Sequence, residues 1–282
     1  MATDNASTRL EGKTIFMSGG SRGVGLAIAL RAARDGANVA LIAKSAEEQP
    51  NLPGTIYTAA EEIEDAGGQA LPIVGDIRDE EAVYEAVERA VAEFGGSDVV
   101  VNNASAINLS GTEELEIKRY DLMQNINVRG TFVVTKACLP HLKKSSADPH
   151  VLTLSPPPNL DARWFRDHVG YTISKYNMSM LTLGWAEEFR EDGIAFNSLW
   201  PRTMIATAAV QNLLGGEEAM ARSRTPEIVA DAAYAILTRP SRECTGNFFI
   251  DEEVLAEEGI TDLDRYRADP EGGELATDLF LD

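Results

Sequence analysis

The fold of this chain is decided by the stretch TIFMSGGSRGVG, residues 14–25. An apolar run ends in a glycine cluster, and the next residues, 26–34, favour a helix that Gly36 closes. A strand, a tight turn and a helix in this order begin a nucleotide-binding βαβ unit. Free N–H groups at such a helix N-terminus favour a diphosphate, which a Cβ in the turn would obstruct. The spacing Gly19-x-x-x-Gly23-x-Gly25 differs from the commoner Gly-x-Gly-x-x-Gly, so an ordinary turn is the alternative.

The length and composition indicate a single large α/β domain. The chain has 282 residues, of which 44% are hydrophobic, enough to bury one sizeable core. Cys138 and Cys244 lie far apart without metal-ligand spacing, which is typical of buried thiols in a reducing cytoplasm. The three histidines are too scattered to predict a metal site. No apolar run is long enough to span a bilayer, so we expect a cytoplasmic protein without membrane insertion.

The chain is strongly acidic, with a formal net charge of −20. Nucleic acid and anionic membrane surfaces would repel it, so we expect neither as a partner. Twelve acidic residues and two arginines lie in residues 251–282, which therefore carry half of the net charge. We predict a flexible N-terminus (1–11), a dinucleotide-binding and catalytic domain (12–250) and a solvated acidic C-terminal tail (251–282).

Strand and helix patterns alternate along the whole domain. Apolar runs predict strands at residues 14–18, 39–43, 70–74, 98–101, 150–154, 194–199 and 247–250. Helical patterns lie at residues 26–34, 55–66, 80–94, 116–142 (two helices), 171–191 and 227–237. Near-continuous apolar strands joined by helices indicate an α/β fold: a single doubly wound parallel sheet of about seven strands with helices on both faces. Ligands of such sheets bind beyond the carboxyl ends of the strands.

Polar residues of interest fall at that edge of the predicted sheet. Asp76, Asn103 and Ser155 each follow a strand. Tyr171 and Lys175 begin the helix after the fifth strand and, at positions i and i+4, share one helical face. A phenol beside an ammonium can act as a general acid and base, since the ammonium lowers the pKa of the phenol. The alternative is a surface tyrosine packed along a lysine stem.

Together these motifs resemble the short-chain dehydrogenase/reductase family, a family with the Rossmann fold, over residues 12–249. The motifs that carry the resemblance are Ser18-Gly19-x-x-x-Gly23-x-Gly25, Asp76-Ile77, Asn102-Asn103-Ala104, Asn127-Val-Arg-Gly and Tyr171-x-x-x-Lys175. Residues 44–64 and Ser155-Pro156-Pro157 are similar to the hydroxysteroid dehydrogenase-like branch, which includes citronellol and citronellal dehydrogenases. Some members of that branch carry an added sterol carrier domain, which we expect this chain to lack.

The resemblance implies a role for each matching residue. Tyr171 would exchange a proton with the substrate oxygen, Lys175 would hold the nicotinamide ribose, and Asn127 would fix a water in the proton relay. Ser155 is the nearest candidate for the catalytic serine. The residues implied in cofactor binding are Ser18, Gly19, Ser21, Arg22, Gly23, Val24, Gly25, Lys44, Asp76, Ile77, Asn103, Ala104, Ser105, Tyr171, Lys175, Pro201, Thr203 and Ile205. The implied reaction is reversible hydride transfer between a nicotinamide and a carbonyl or alcohol.

The chain departs from the family pattern in three places. The family has Ser-Ser after the fifth strand, whereas Pro156 follows Ser155 here. Ser105 replaces the glycine of Asn-Asn-Ala-Gly, and Arg202 replaces the glycine of Pro-Gly after the sixth strand. We expect the hydroxyl of Ser155 to take the place of the missing serine beside Tyr171.

The cofactor is predicted from the end of the second strand. An acidic residue there would bind the free ribose 2′-hydroxyl of NAD. Here Lys44 occupies this region and Arg22 lies in the glycine turn, so two cations favour the 2′-phosphate of NADP(H). The alternative is that both basic residues face solvent.

The sequence leaves the substrate and the activity partly open. Trp164, Phe165, Trp200 and Met204 indicate an apolar ligand, or else core or subunit contacts. We predict an NADP(H)-dependent oxidoreductase that interconverts an apolar alcohol and its aldehyde or ketone, and a homo-oligomer (dimer or tetramer). The alternative is a cofactor-binding protein with little turnover that acts as a regulatory or interaction module, which Pro156 favours and the Tyr171–Lys175 pair disfavours.

Overall fold

Consecutive residues of a strand face opposite sides of the sheet. The central strands are apolar without interruption because both sides of their sheet are buried. The computed structural model describes residues 10–48, 52, 54–213 and 215–282. Among these residues, seven parallel strands form one sheet in the order β3-β2-β1-β4-β5-β6-β7. The strands are β1 Thr14–Ser18, β2 Asn38–Ala43, β3 Gln69–Val74, β4 Val99–Asn102, β5 His150–Thr153, β6 Ala195–Trp200 and β7 Phe248–Ile250. The strand order reverses at β1 and β4, and ligands bind at such a switch point.

Helices cover both faces of the sheet. They are α1 Gly23–Ala33, α2 Ile56–Asp65, α3 Glu80–Phe94, α4 Ile117–Met123, α5 Thr131–Leu142, α6 Arg163–Arg166, α7 Val169–Glu188, α8 Ala208–Leu213, α9 Gly216–Ala221, α10 Glu227–Leu237 and α11 Asp251–Glu257, with a π-helix at Gln124–Gly130 and a 3-10 helix at Asp264–Tyr266. Met17 packs with α1, α2 and α10, whereas Phe16 packs with α3, α5 and α7 on the other face. The predicted doubly wound sheet is thereby confirmed. Within the described residues, no helix combines the length and apolar character needed to cross a membrane.

Helix boundaries follow the local capping chemistry. The carboxylate of Asp79 accepts hydrogen bonds from the backbone N–H groups of Glu81 and Ala82, so α3 begins where the sequence predicts. Gly95 ends α3 with a φ of +87°. The predicted pair of helices at residues 116–142 is instead one helical run, because the π-helix joins α4 directly to α5.

The prediction of a solvated C-terminal tail is wrong. Val254 and Leu255 on α11 are fully buried against the α10 side of the sheet, and Tyr266 and Phe280 are buried further along the chain. Apolar side chains at intervals in the acidic sequence fix this segment to the domain. At the other end, Leu10 is also buried and its backbone N–H donates to Asp35. The rest of the predicted flexible N-terminus, residues 1–9, lies outside the described residues.

Candidate active site

The turn after β1 is shaped by close approach to β4. Gly19 has a φ of +75°, and a Cβ there would lie 2.7 Å from the Cα atom of Ala104. A Cβ on Gly25 would lie 2.5 Å from the side-chain nitrogen of Asn103. That nitrogen donates a 2.7 Å hydrogen bond to the carbonyl oxygen of Gly19. The glycines are therefore required by the contact between the turn and the segment after β4.

The N-terminus of α1 faces an open crevice of about 1270 Å³. Arg22 precedes the helix in an extended conformation, and its side chain does not cap the first turn. The first N–H groups of a helix have no intrahelical acceptor, and with the helix dipole they attract an anion. A crevice with a glycine cradle and uncapped N–H groups fits the diphosphate of a dinucleotide.

Most of the predicted cofactor-binding residues line this crevice. They are Gly19, Ser21, Arg22, Gly23, Val24, Lys44, Asp76, Ile77, Asn103, Ala104 and Ser105. The structure does not place Ser18, Gly25, Pro201, Thr203, Ile205, Tyr171 or Lys175 on its wall. The sequence analysis missed the lining residues that follow β6 and begin α10, which are Ala206, Thr207, Ala208, Ala209, Asn212, Pro226 and Glu227. A run of small residues after β6 is the signal that could have indicated them.

Charges are concentrated where Lys44 and Asp76 line the crevice. Hydrogen bonds from the Arg78 guanidinium, which oppose a smaller effect of burial, lower the pKa of Asp76 to about 2. The ammonium of Lys44 lies 3.4 Å from the same carboxylate, on a side chain that is 60% exposed. The guanidinium of Arg22 donates a 2.7 Å hydrogen bond to the carbonyl oxygen of Gly54. Asp76 therefore carries a full negative charge between the cations of Arg78 and Lys44.

Asn127 lies in the π-helix and is fully buried. Its side-chain nitrogen donates to the carbonyl oxygen of Ala106 and to the Ser174 hydroxyl, both at 2.9 Å. Its side-chain oxygen accepts a 2.7 Å hydrogen bond from the N–H of Ala106. Single π-helical turns are rare and frequently mark functional positions. Asn127 thus connects the segment after β4 to α7.

Tyr171 and Lys175 lie together on α7 and are almost entirely buried, with 5% and 3% of their surfaces exposed. The Lys175 ammonium donates a 2.7 Å hydrogen bond to the carbonyl oxygen of Leu154, just beyond β5. Burial lowers the pKa of Lys175 to about 7. Burial, and secondly the carboxylate of Asp278, raise the pKa of Tyr171. The predicted lowering of the tyrosine pKa is therefore not met in this arrangement, because the pair is withdrawn from water.

The C-terminal residues reach this pair, which the sequence analysis missed. The ring of Phe280 is stacked on Tyr171, with 6.0 Å between centroids and 29° between planes. The indole N–H of Trp200 donates a 3.0 Å hydrogen bond to the carbonyl oxygen of Leu279. The apolar triplet at residues 279–281 is the signal for this contact, and it is hidden when the acidic segment is judged by its overall composition.

The expectation that Ser155 donates to a substrate oxygen beside Tyr171 is not supported. Ser155 is fully buried, and its hydroxyl lies 2.9 Å from the Ser198 hydroxyl, which in turn donates to Thr182. The following carbonyl, that of Pro156, accepts a 2.6 Å hydrogen bond from the Ser179 hydroxyl on α7. The backbone at Pro156 is thereby held against α7, and the Ser155 side chain points towards Ser198 on β6.

Replacing Ser155 with alanine is therefore expected to change stability more than catalysis. The substitution removes one hydroxyl from a buried hydrogen-bond network. We expect this to lower the free energy of unfolding by about 1–3 kcal/mol. Removal of a donor to a developing oxyanion typically costs about 10²–10³ in rate, and we expect no such loss. Denaturant unfolding and steady-state kinetics on the same preparation separate the two effects. A rate loss of that size without destabilisation would return Ser155 to the catalytic site.

The sheet switch point and the glycine cradle define the class of Rossmann-fold dinucleotide-binding proteins. Residues 13–217 match the short chain dehydrogenase family, and the chain belongs to that family. The resemblance stated from the sequence motifs is thereby confirmed. No group of three or more His, Cys, Asp or Glu side chains suited to a metal occurs in the described part of the chain.

Individual proteins and structures are similar over almost the whole chain. Hydroxysteroid dehydrogenase-like protein 2 of Danio rerio is 57% identical over 274 residues, which are 97% of this chain and 65% of that protein. This chain thus spans less than two thirds of that relative's length. A short chain dehydrogenase from Mycobacterium thermoresistibile is 62% identical with a TM-score of 0.91, covering 97% of this chain and 96% of that one. A protein from Xanthomonas campestris with a known crystal structure is 55% identical in sequence with a TM-score of 0.93, covering 97% of this chain and 99% of that one.

Proposed function

We propose that this chain is an NADP(H)-dependent oxidoreductase that interconverts an apolar alcohol and its aldehyde or ketone. The observation that carries the proposal is the Tyr171–Lys175 pair at the carboxyl end of β5, the same sheet edge as the glycine turn. Membership of the short chain dehydrogenase family supports this assignment over that of a binding module with little turnover.

The proposed mechanism assigns one task to each polar residue. A bound nicotinamide cofactor would supply or accept the hydride. The Tyr171 hydroxyl donates a proton to the substrate oxygen during reduction and removes it during oxidation. Lys175 would hold the nicotinamide ribose and, once the site is solvated, its positive charge favours the phenolate. Asn127, already fixed to Ala106 and Ser174, holds a water through which a proton reaches Tyr171 from solvent during reduction and leaves it during oxidation.

The proposed cofactor preference rests on Lys44 and Arg22 at the rim of the crevice. NADPH should bind more tightly than NADH by about 1.5–3 kcal/mol, the range for hydrogen bonds to a charged group. Lys44→Asp should reduce or invert that preference, because it places a carboxylate beside the 2′-phosphate. Calorimetric titration of both cofactors measures the difference, with Lys118→Asp, an exposed lysine paired with Glu116, as a matched control. Equal affinities in the unaltered chain would contradict the NADP(H) preference.

We also propose a homodimer or tetramer. An exposed apolar surface formed by Phe132 on α5 and Ile173, Met180 and Leu183 on α7 supports this proposal. Ile173, Met180 and Leu183 recur at helical spacing on α7, and Phe132 packs against Trp185 of the same helix at 5.8 Å between ring centroids. Exposed apolar surface of this kind favours association. Sedimentation velocity on the chain and on a Leu183→Glu variant tests it, and a monomer at all concentrations would refute it.

The two cysteines support a reducing compartment, which we propose to be the cytoplasm. Cys138 and Cys244 are free and buried on different faces of the sheet. Burial raises the pKa of both thiols, so they stay protonated and unreactive.

A further inference from the structure

Phe280 is the best-enclosed side chain of the C-terminal segment, which we define as residues 276–282, and only 1% of its surface is exposed. Its ring lies among five others that we call the aromatic cluster. The centroid distances from Phe280 are 5.9 Å to Trp164, 6.1 Å to His168, 6.0 Å to Tyr171, 5.2 Å to Tyr176 and 6.0 Å to Trp200. One phenyl ring thus fills a pocket whose wall includes the proposed acid/base tyrosine.

Few backbone contacts hold the C-terminal segment in place. The N–H of Met204 donates to the carbonyl oxygen of Ala276 at 2.9 Å, the N–H of Ala276 donates to that of Arg222 at 2.9 Å, and the N–H of Asp278 donates to that of Arg202 at 3.0 Å. An isolated antiparallel bridge joins Thr277 to Thr203, and the segment forms no regular helix or strand. Exposed ion pairs such as the one between Arg163 and Asp282 contribute little. The segment is therefore attached by these backbone bonds, by the hydrogen bond from Trp200 to the carbonyl oxygen of Leu279, and by the packing of Phe280 among its rings.

The position of Phe280 conflicts with the chemistry proposed for Tyr171. A substrate oxygen must come within hydrogen-bonding distance of the Tyr171 hydroxyl, yet the tyrosine is 5% exposed and Phe280 covers a face of its ring. We propose that the C-terminal segment is displaceable and that Phe280 occupies the subsite for an aromatic or similarly flat apolar group attached to the substrate carbonyl. This inference rests on the proposed function and names its substrate class.

Two opposing contributions make displacement feasible. Burial of the Phe280 ring favours the seated segment. Burial of the Asp278 carboxyl opposes it, since desolvation and the neighbouring Asp251 raise the pKa of Asp278 to about 7 while Lys175 lowers it. A ligand that replaces the ring contacts of Phe280 would also let the Asp278 carboxyl return to water. Substrate binding and release of the segment are therefore coupled.

The wall of the pocket determines which ligand fits it. Aromatic rings pack best against other rings in offset or edge-to-face arrangements, and Trp164, His168, Tyr176 and Trp200 surround Phe280 in such tilted geometries. The indole N–H of Trp164 is buried and has no hydrogen-bond partner among the described residues. An aromatic ligand that carries a second polar atom could satisfy it, which a phenyl ring cannot.

Calorimetric titration with acetophenone, an aromatic ketone, tests the proposal. The full chain is saturated with NADP⁺, which cannot reduce a ketone, so binding is measured without turnover. We expect Phe280→Ala to bind acetophenone at least about tenfold more tightly than the unaltered chain. If Phe280 leaves the subsite for only about a tenth of the time in the unaltered chain, the apparent affinity of that chain is about tenfold weaker. Phe94→Ala, a half-buried phenylalanine at the last position of α3, is the matched control and should bind as the unaltered chain does.

The other outcomes are informative. Equal or weaker binding by Phe280→Ala would show that Phe280 is a fixed wall of the pocket, and no binding by either protein would refute the aromatic subsite. Retained affinity for ADP, whose proposed site lies in the crevice, checks that Phe280→Ala is folded. If that variant does not fold, Phe280→Leu replaces it. Turnover is measured separately, with NADPH in place of NADP⁺. Tighter ketone binding by Phe280→Ala without reduction of any carbonyl by either protein would contradict the proposed oxidoreductase while leaving the displaceable segment intact. Turnover with unchanged ketone binding would refute only the segment.

Discussion

Replacing Tyr171 with phenylalanine is expected to lower turnover by about 10²-fold or more while the affinity for the cofactor stays unchanged. The substitution removes one hydroxyl and keeps the ring, so the contacts with His168 and Phe280 are retained. Without that hydroxyl, no transferable proton of α7 faces the substrate oxygen in the proposed mechanism. Steady-state rates and calorimetric cofactor titration on the same preparation measure the two quantities.

A matched control distinguishes a catalytic hydroxyl from a structural one. Tyr234 on α10 donates a 2.7 Å hydrogen bond to Asp35, remote from the tyrosine–lysine pair, so Tyr234→Phe should cost some stability and leave turnover unchanged. Lys175→Ala should reduce both cofactor affinity and turnover, since the lysine serves the ribose and the phenol. A Tyr171→Phe variant that keeps most of its activity would move the proton transfer to another residue.

Replacing Gly19 with alanine is expected to weaken cofactor binding by more than about tenfold, the equivalent of one lost hydrogen bond to a charged phosphate. The added Cβ would lie 2.7 Å from the Cα atom of Ala104, so the turn or the segment after β4 must shift. That shift also disturbs the hydrogen bond from Asn103 to the carbonyl of Gly19. Calorimetric titration with the preferred cofactor measures the loss.

Gly12→Ala separates this steric effect from backbone strain. Gly12 has a φ of +70°, close to that of Gly19, but a Cβ there would meet no described heavy atom within 4 Å. Both variants should lose stability by about 1–2 kcal/mol, the cost of a left-handed backbone for a residue with a Cβ. Gly19→Ala alone should lose cofactor affinity. Equal losses in the two variants would show that the close contact with Ala104 is unimportant.

The parts of the molecule that could be predicted from sequence are those with a local signature. Apolar runs, the glycine turn and the cap at Asp79 each determine their own structure, so the seven strands and helices such as α3 and α10 were correctly located. The Tyr171–Lys175 pair follows from helical spacing alone. These features need no knowledge of distant parts of the chain.

The features that could not be predicted depend on tertiary contacts. The π-helix around Asn127 has no sequence pattern of its own, and hydrogen bonds to Ala106 and Ser174 accompany it. The direction of the Ser155 side chain depends on how Ser179 holds the carbonyl of Pro156. The placement of Phe280 depends on rings that lie more than 75 positions earlier in the chain. Composition assigned residues 251–282 to solvent because their twelve acidic residues hide the apolar triplet at residues 279–281.

The most direct test of the proposed function traces the hydrogen that the cofactor transfers to the substrate. NADPH that carries deuterium at the transferable position of its nicotinamide is incubated with the chain and a panel of apolar aldehydes and ketones, and the products are analysed by mass spectrometry. We expect at least one carbonyl to yield an alcohol with deuterium on its carbinol carbon, and Tyr171→Phe to suppress that product by about 10²-fold or more. Tight NADPH binding with no deuterated alcohol from any of these carbonyls would contradict the proposed function and indicate a binding protein.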